Sequence, residues 1–136
     1  MEPCSVLVVE DDVDCAEVIA EALRTCGHEV AVASSAEGIH AELARGRPDV
    51  VLVDGHLGPV DGIQLVQDLR DGPLKGVPVL LATGRSRVEV ARAARSAGIE
   101  RVLVKPLDLA LLFDAVDAAA GKARVRALRM AGGRPV

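Results

Sequence analysis

A doubly wound α/β fold around a parallel sheet is what this chain predicts, on two observations. Short runs rich in Val and Leu alternate with helix-length periods, and the connections between them are short. The strand candidates are residues 5–9, 29–33, 49–53, 77–82 and 101–104. Most are almost unbroken in apolar residues, as parallel strands covered on both faces are. The helical stretches fall near 13–26, 36–45, 62–70, 87–97 and 108–120. Five strand–helix units of this kind predict a five-stranded sheet with five helices.

Each element carries its own marks. The first helix has Ala16, Ile19, Ala20 and Leu23 on one face, with Glu17, Glu21 and Arg24 on others. Gly27, Gly46 and Gly98 stand just past the first, second and fourth helices, where a left-handed cap costs glycine least. Asp108 is placed to cap the fifth helix, whose expected core stripe is Leu109, Leu112, Phe113 and Val116. A second apolar row, Leu111, Ala115 and Ala118, lies off that stripe. The fourth helix sets Arg85, Arg87, Arg92 and Arg95 against Glu89 alone. These two helices flank a surface suited to partner contact.

Composition bounds the function. With 136 residues, half of them apolar, the chain is one domain with a continuous core. Phe113 is the only aromatic, so the core is built from Val, Leu, Ile and Ala. That also argues against modules that stack nucleic-acid bases. No run approaches the roughly 18 apolar residues of a membrane span, and the acidic start MEPCSVLVVEDD is unlike a secretory signal. A cytoplasmic protein is expected. Cys4, Cys15 and Cys26 are odd in number and lack ligand spacing, so they read as reduced, small hydrophobes, Cys15 and Cys26 on one helix face. Lys122, Arg124, Arg126, Arg129 and Arg134 close the chain with no acid among them, leaving 11 bases against 20 acids in the first 120 residues. The expected division is a domain at 1–121 and a basic, frayed tail or linker at 122–136. An acidic body repels nucleic acid, and neither a nucleic-acid nor a membrane partner is expected.

In a doubly wound sheet, ligands bind beyond the carboxyl ends of the strands. Glu10, Asp11 and Asp12 follow the first strand, Asp54 the third, Thr83 the fourth, and Lys105 with Pro106 the fifth. Several carboxylates in one crevice repel each other unless a cation joins them. Oxygen-only donors suit a hard cation such as Mg²⁺. A carboxylate can also accept a phosphoryl group, given a cation, a lysine and a hydroxyl to neutralise the phosphoryl oxygens. Asp54, Mg²⁺, Lys105 and Thr83 would supply those parts.

Four ordered segments, VLVVEDD, DVVLVDGHLGPVDG, PVLLATG and VLVKPLD, resemble the receiver domain of two-component response regulators over about residues 4–120. The resemblance implies a flavodoxin-like sheet of order 2-1-3-4-5. It makes Asp54 the phosphoacceptor for a histidine kinase or phosphotransfer protein. It matches Glu10 and Asp11 to the acidic pair that positions Mg²⁺, completed by Asp54 and the backbone carbonyl of His56. Thr83 and Lys105 match the residues that hold the phosphoryl oxygens, and Asp61-Gly62 the turn into the third helix. Asp12 competes in register for the metal site. The fourth helix, fifth strand and fifth helix would form the face for a homodimer or an output partner.

Three positions depart from the family pattern. Val102 replaces the usual aromatic three residues before Lys105, so an inward-swinging ring is not available as the readout. Gly58-Pro59 puts proline one place late. His56 and Arg85 occupy the two positions that tune phosphoryl lifetime, where a ring and a cation would screen attacking water. Other readings fit less well. A haloacid-dehalogenase-type phosphatase needs its D-x-D-x-T nucleophile after the first strand, and here Asp12-Val13-Asp14-Cys15 is followed by no threonine. Three acids after that strand also repel a dinucleotide pyrophosphate. His56 has no second His or Cys at zinc-ligand spacing, and His28 and His40 read as structural or solvent-facing. The remaining alternative is a non-phosphorylated pseudo-receiver, a pure interaction module.

Overall fold

The computed structural model describes residues 2–130. In chain order its elements are β1 (Ser5–Val9), α1 (Val13–Thr25), β2 (Glu29–Ala33), α2 (Ala36–Arg45), β3 (Val50–Asp54), β4 (His56–Leu57), β5 (Val60–Asp61), α3 (Gly62–Leu69), β6 (Val79–Thr83), α4 (Arg87–Ser96), β7 (Arg101–Val104) and α5 (Leu109–Met130). Five strands form one parallel sheet in the order β2-β1-β3-β6-β7. Counting that sheet's strands alone, this is the doubly wound order 2-1-3-4-5. The chain steps outward from β1 to β2, then crosses back to β3, so a crevice opens at the carboxyl ends of β1 and β3.

Alternation along each strand feeds two cores. Leu7, Val9, Val51, Val53, Val79 and Leu81 pack on one face with Ile39 of α2, Ile63 and Val66 of α3, and Val90 of α4. Val6, Val8, Val50, Leu52 and Leu80 pack on the other with Ile19 and Leu23 of α1 and Leu112 and Val116 of α5. Each such Val or Leu contributes roughly 1.5–3 kcal/mol by leaving water, which holds the sheet that carries the site. Side-chain caps start the helices: Asp12 accepts from Cys15 N–H, Ser35 from Gly38, Asp61 from Ile63, and Ser86 exchanges hydrogen bonds with Glu89. Asp108 caps α5 as expected, accepting from the Ala110 and Leu111 amides.

Several local expectations give way. Asp54 and Thr83 are the last residues of β3 and β6 and not the first after them. Gly27 and Gly98 take positive φ, whereas Gly46 is extended at φ 165° and needs no left-handed cap. The segment after Asp54 folds into a small hairpin, β4 with β5, turned at Gly58, whose φ is +61°. The α5 core stripe is Leu112, Ala115, Val116, Ala119 and Ala120, while Leu109 is 40% exposed. The small alanines Ala115, Ala119 and Ala120 belong to the core, and Leu109 and Leu111 are exposed. Cys4 is buried, but Cys15 and Cys26 are only half-buried.

Helix α5 also runs to Met130 in place of the expected end at Ala120. One isolated glycine, Gly121, costs a helix only about 1 kcal/mol. Tertiary ion pairs offset it. Lys122 Nζ lies 2.7 Å from Glu100 Oε2, and Arg124 Nε 3.0 Å from Glu2 Oε2. Arg126 donates to the Gly76 carbonyl at 2.7 Å. Arg134 of the expected basic tail lies outside the described residues.

Candidate functional site

The carboxyl ends of β1, β3, β6 and β7 bring together Glu10, Asp11, Asp54, Thr83 and Lys105, the side chains the sequence singled out. Glu10 is 3% exposed, Asp54 9% and Thr83 2%, so the site is a shallow pit with a buried floor. Lys105 Nζ bridges two carboxylates, 3.0 Å from Glu10 Oε1 and 3.2 Å from Asp54 Oδ2. Glu10, Asp11 and Asp54 each place a carboxylate oxygen within 4.8 Å of the others. The backbone finishes the arrangement. His56 N–H donates to Asp54 Oδ1 at 3.1 Å, and Gly58 N–H to Asp11 Oδ2 at 2.7 Å. Thr83 Oγ1 accepts from Arg85 N–H at 3.0 Å, so its hydroxyl hydrogen remains available to a ligand.

Charge is distributed unevenly over the carboxyls. Burial, reinforced by a hydrogen bond with Asp54, pushes Glu10 up to about 7. Burial alone would raise Asp54 too, but the hydrogen bonds from Glu10 and the His56 amide, with the Lys105 charge, hold it below the usual carboxylate range. Lys105 is raised in turn, because its two carboxylate partners outweigh its own burial. Asp54 is therefore the ionised member at neutral pH, and Glu10 holds its proton more readily. Glu10 Oε2 is buried with no hydrogen-bond partner among the described residues. An orphaned carboxylate oxygen beside two further carboxylates fits a hard divalent cation, which would displace the Glu10 proton and satisfy that oxygen.

Asp12 is not part of this cluster; its side chain caps α1 at the Cys15 amide, 3.0 Å away. His56 turns its ring to solvent and contributes its amide to Asp54. The sequence marks Gly62 only as part of the turn into the third helix and Cys15 only as a small hydrophobe, and the structure ties both more closely to the site. Gly62 lies so close to β3 that a Cβ there would stand 1.9 Å from the Asp54 carbonyl oxygen, so only glycine lets α3 start against that strand. The Cys15 thiol is raised to about 11, mainly by burial and then by the neighbouring Glu10 carboxylate, which keeps it protonated. Its distance from Glu10 in sequence gave no signal; the turn into α1 creates the contact.

The response regulator receiver domain model matches residues 6–117. The chain belongs to that family. Among curated relatives, this receiver is 36% identical over 113 residues to the transcriptional regulatory protein PrrA of Mycobacterium tuberculosis, covering 83% of this chain and 48% of that one. It is 33% identical over 119 residues to the transcriptional regulatory protein ZraR of Salmonella typhimurium, covering 88% of this chain and 27% of that one. The receiver thus spans half or less of the length of these relatives. Among solved structures, NtrX of Brucella abortus superposes with a TM-score of 0.86 at 25% identity, over 99% of this chain and 31% of the other. The chemotaxis response regulator CheY4 of Vibrio cholerae shares the fold, with a TM-score of 0.79 at 24% identity over 87% of this chain and 99% of that one. No described helix is long and apolar enough to cross a membrane.

Proposed function

We propose that this receiver accepts a phosphoryl group on Asp54 from a histidine kinase or phosphotransfer protein, and that the phosphorylated state changes its binding to a partner. The observation that carries this reading is Lys105 Nζ, held between Glu10 and Asp54 at 3.0 and 3.2 Å. A half-buried cation at hydrogen-bond distance from a buried, ionised carboxylate is placed to neutralise charge arriving on that carboxylate.

In the transfer, an Asp54 carboxylate oxygen attacks phosphorus and forms the acyl phosphate O–P bond. The donor's P–N bond breaks, and the leaving imidazole takes up a proton. Lys105 pairs with the phosphoryl oxygens, and the Thr83 hydroxyl donates to them. Glu10, Asp11, Asp54 and the His56 backbone carbonyl would hold Mg²⁺, which supplies charge neutralisation at those oxygens. The reaction is self-modification, so the domain is a switch and not a turnover catalyst. A histidine-kinase donor fits a cytoplasmic protein. Residues 1–121 form the receiver on this reading, with 122–136 as the basic segment beyond it. The face built from α4, β7 and α5 meets a homodimer mate or output partner. Val102 is half-buried against the core, so the readout runs through α4 and its preceding loop instead of an aromatic swing.

The test is intact mass after incubation with acetyl phosphate and Mg²⁺, beside Asp54→Asn. The expected result is one phosphoryl adduct that requires Mg²⁺ and is absent from the variant. A folded protein that takes neither the adduct nor beryllium fluoride is a pseudo-receiver, and the proposal fails.

A further inference from the structure

Packing fixes the β4–β5 hairpin independently of any ligand. At its base, Gly55 N–H donates to the Ala82 carbonyl and Gly62 N–H to the Gly55 carbonyl, both at 2.9 Å. Leu57 is buried in the core, and Val60, paired with it across the hairpin, packs against the same core. Asp61 then closes the hairpin by capping α3. The backbone amides along this segment are therefore aimed by the protein interior.

Two of those amides, two residues apart, hold two different carboxylates of the candidate cation site. His56 N–H donates to Asp54 Oδ1 at 3.1 Å, and Gly58 N–H to Asp11 Oδ2 at 2.7 Å. The second bond joins segments 47 residues apart, and among the described residues it is the one hydrogen bond of the Asp11 side chain. Asp11 is exposed. Without that bond its carboxylate is free to swing away from Glu10 and Asp54, as like charges in one crevice do. A short hydrogen bond to an ionised oxygen restrains it.

Position 58 suits this task in two respects. Its φ of +61° lies in the left-handed region that glycine enters without steric cost. A Cβ there would meet nothing within 4 Å, so backbone conformation and not space selects the glycine. The residue also supplies an N–H, which proline lacks. The order Gly58-Pro59 thus leaves a donor beside Asp11, where proline one place earlier would leave none.

We propose that Gly58 is a positioning residue for the cation: its amide orients Asp11 as the His56 amide orients Asp54, and the hairpin thereby sets how tightly this receiver binds Mg²⁺. This rests on the cation site of the reading above and not on phosphoryl transfer to Asp54.

Calorimetric titration of the unphosphorylated protein with magnesium chloride tests it. Gly58→Pro combined with Pro59→Gly removes the amide and should weaken Mg²⁺ binding about tenfold, as loss of a bond that orients a metal ligand does. Gly58→Asn keeps the N–H on a residue that tolerates left-handed backbone, and should bind Mg²⁺ as the wild type does. Both variants should keep the wild-type circular dichroism. In the metal-free wild type, nuclear magnetic resonance should detect a scalar coupling across the hydrogen bond, from the Gly58 amide nitrogen to the Asp11 carboxylate carbon. That readout requires no variant to fold. Unchanged affinity in the exchanged pair, an equal loss in Gly58→Asn, or an absent coupling overturns the proposal. Wild-type protein that binds no Mg²⁺ overturns it together with the cation site. Mg²⁺ binding in the expected pattern without a phosphoryl adduct upholds it and overturns only the acceptor role of Asp54.

Discussion

Asp54 and Glu10 share one lysine and one set of hydrogen bonds, yet they sit on opposite sides of their ordinary carboxyl values. The difference lies in what each accepts: Asp54 receives the His56 amide, while Glu10 is left with an orphaned oxygen. Around this pair, His56 and Arg85 stand exposed at the rim, and Arg85 Nε lies 3.5 Å from Glu89 Oε2 at the start of α4. If Asp54 is phosphorylated as proposed, a ring and a guanidinium at the rim would obstruct water that hydrolyses the acyl phosphate. His56→Asn and Arg85→Ala should each shorten the phosphoryl half-life severalfold, measured by the decay of the intact-mass adduct. An unchanged half-life in both would remove the screening argument. Residue identities were largely legible at this scale, because turn chemistry and acid–base character are local. Only the choice between Asp11 and Asp12 needed coordinates, since it depends on where α1 begins.

Among the elements, α4 is held unequally at its two ends. Arg70, just past α3, donates to the carbonyls of Leu74, Val77, Ala97 and Gly98 at 2.7 to 3.0 Å. One guanidinium thus ties the α3–β6 loop to the carboxyl end of α4. At its amino end α4 has the exposed Ser86–Glu89 capping box, and Val88 there is 89% exposed. Rearrangement on phosphorylation should therefore be confined to residues 84–90. Arg70→Met keeps the aliphatic stem but removes the guanidinium bonds to four carbonyls, of which Leu74 alone keeps a second donor, the Val77 amide. It should cost about 2–3 kcal/mol in urea unfolding, while an Arg70→Lys variant should recover only part of that, because an ammonium cannot span the fork. A loss within error of zero would mean water replaces the clamp freely. Sequence periodicity could not reveal Arg70, because a lone arginine in a turn carries no pattern; its partners come from two segments, the α3–β6 loop and the end of α4.

For the whole molecule, the buried carboxyls tie stability to pH and to divalent cation. Glu10 binds its proton up to about 7 in the folded protein, against about 4.5 when unfolded. Between those values the native state holds more protons than the unfolded chain, so stability falls as pH rises. The Glu10 contribution is full below that window and lost as pH passes through about 7. Asp54 acts in the opposite sense, its contribution present above the ordinary carboxyl range and lost as pH falls through its lowered value. The metal-free protein should show a urea midpoint that declines from about pH 5.5 to about pH 8, a decline that Glu10→Gln flattens. Added Mg²⁺ should raise the midpoint more at the upper pH, where no proton competes for Glu10. A midpoint that rises across that range without metal would contradict the assignment of Glu10.

By itself the sequence determined the strand–helix alternation, the parallel sheet and the membership of the site. These follow from hydrophobic runs and from polar residues at strand ends, which are local signals. Tertiary structure decided what depends on contacts between distant segments. It placed Lys105 between Glu10 and Asp54 across 95 and 51 residues. It required glycine at position 62, where two backbones meet. It also carried α5 past Gly121 to Met130, because Glu2, Gly76 and Glu100 supply partners that no helix propensity contains.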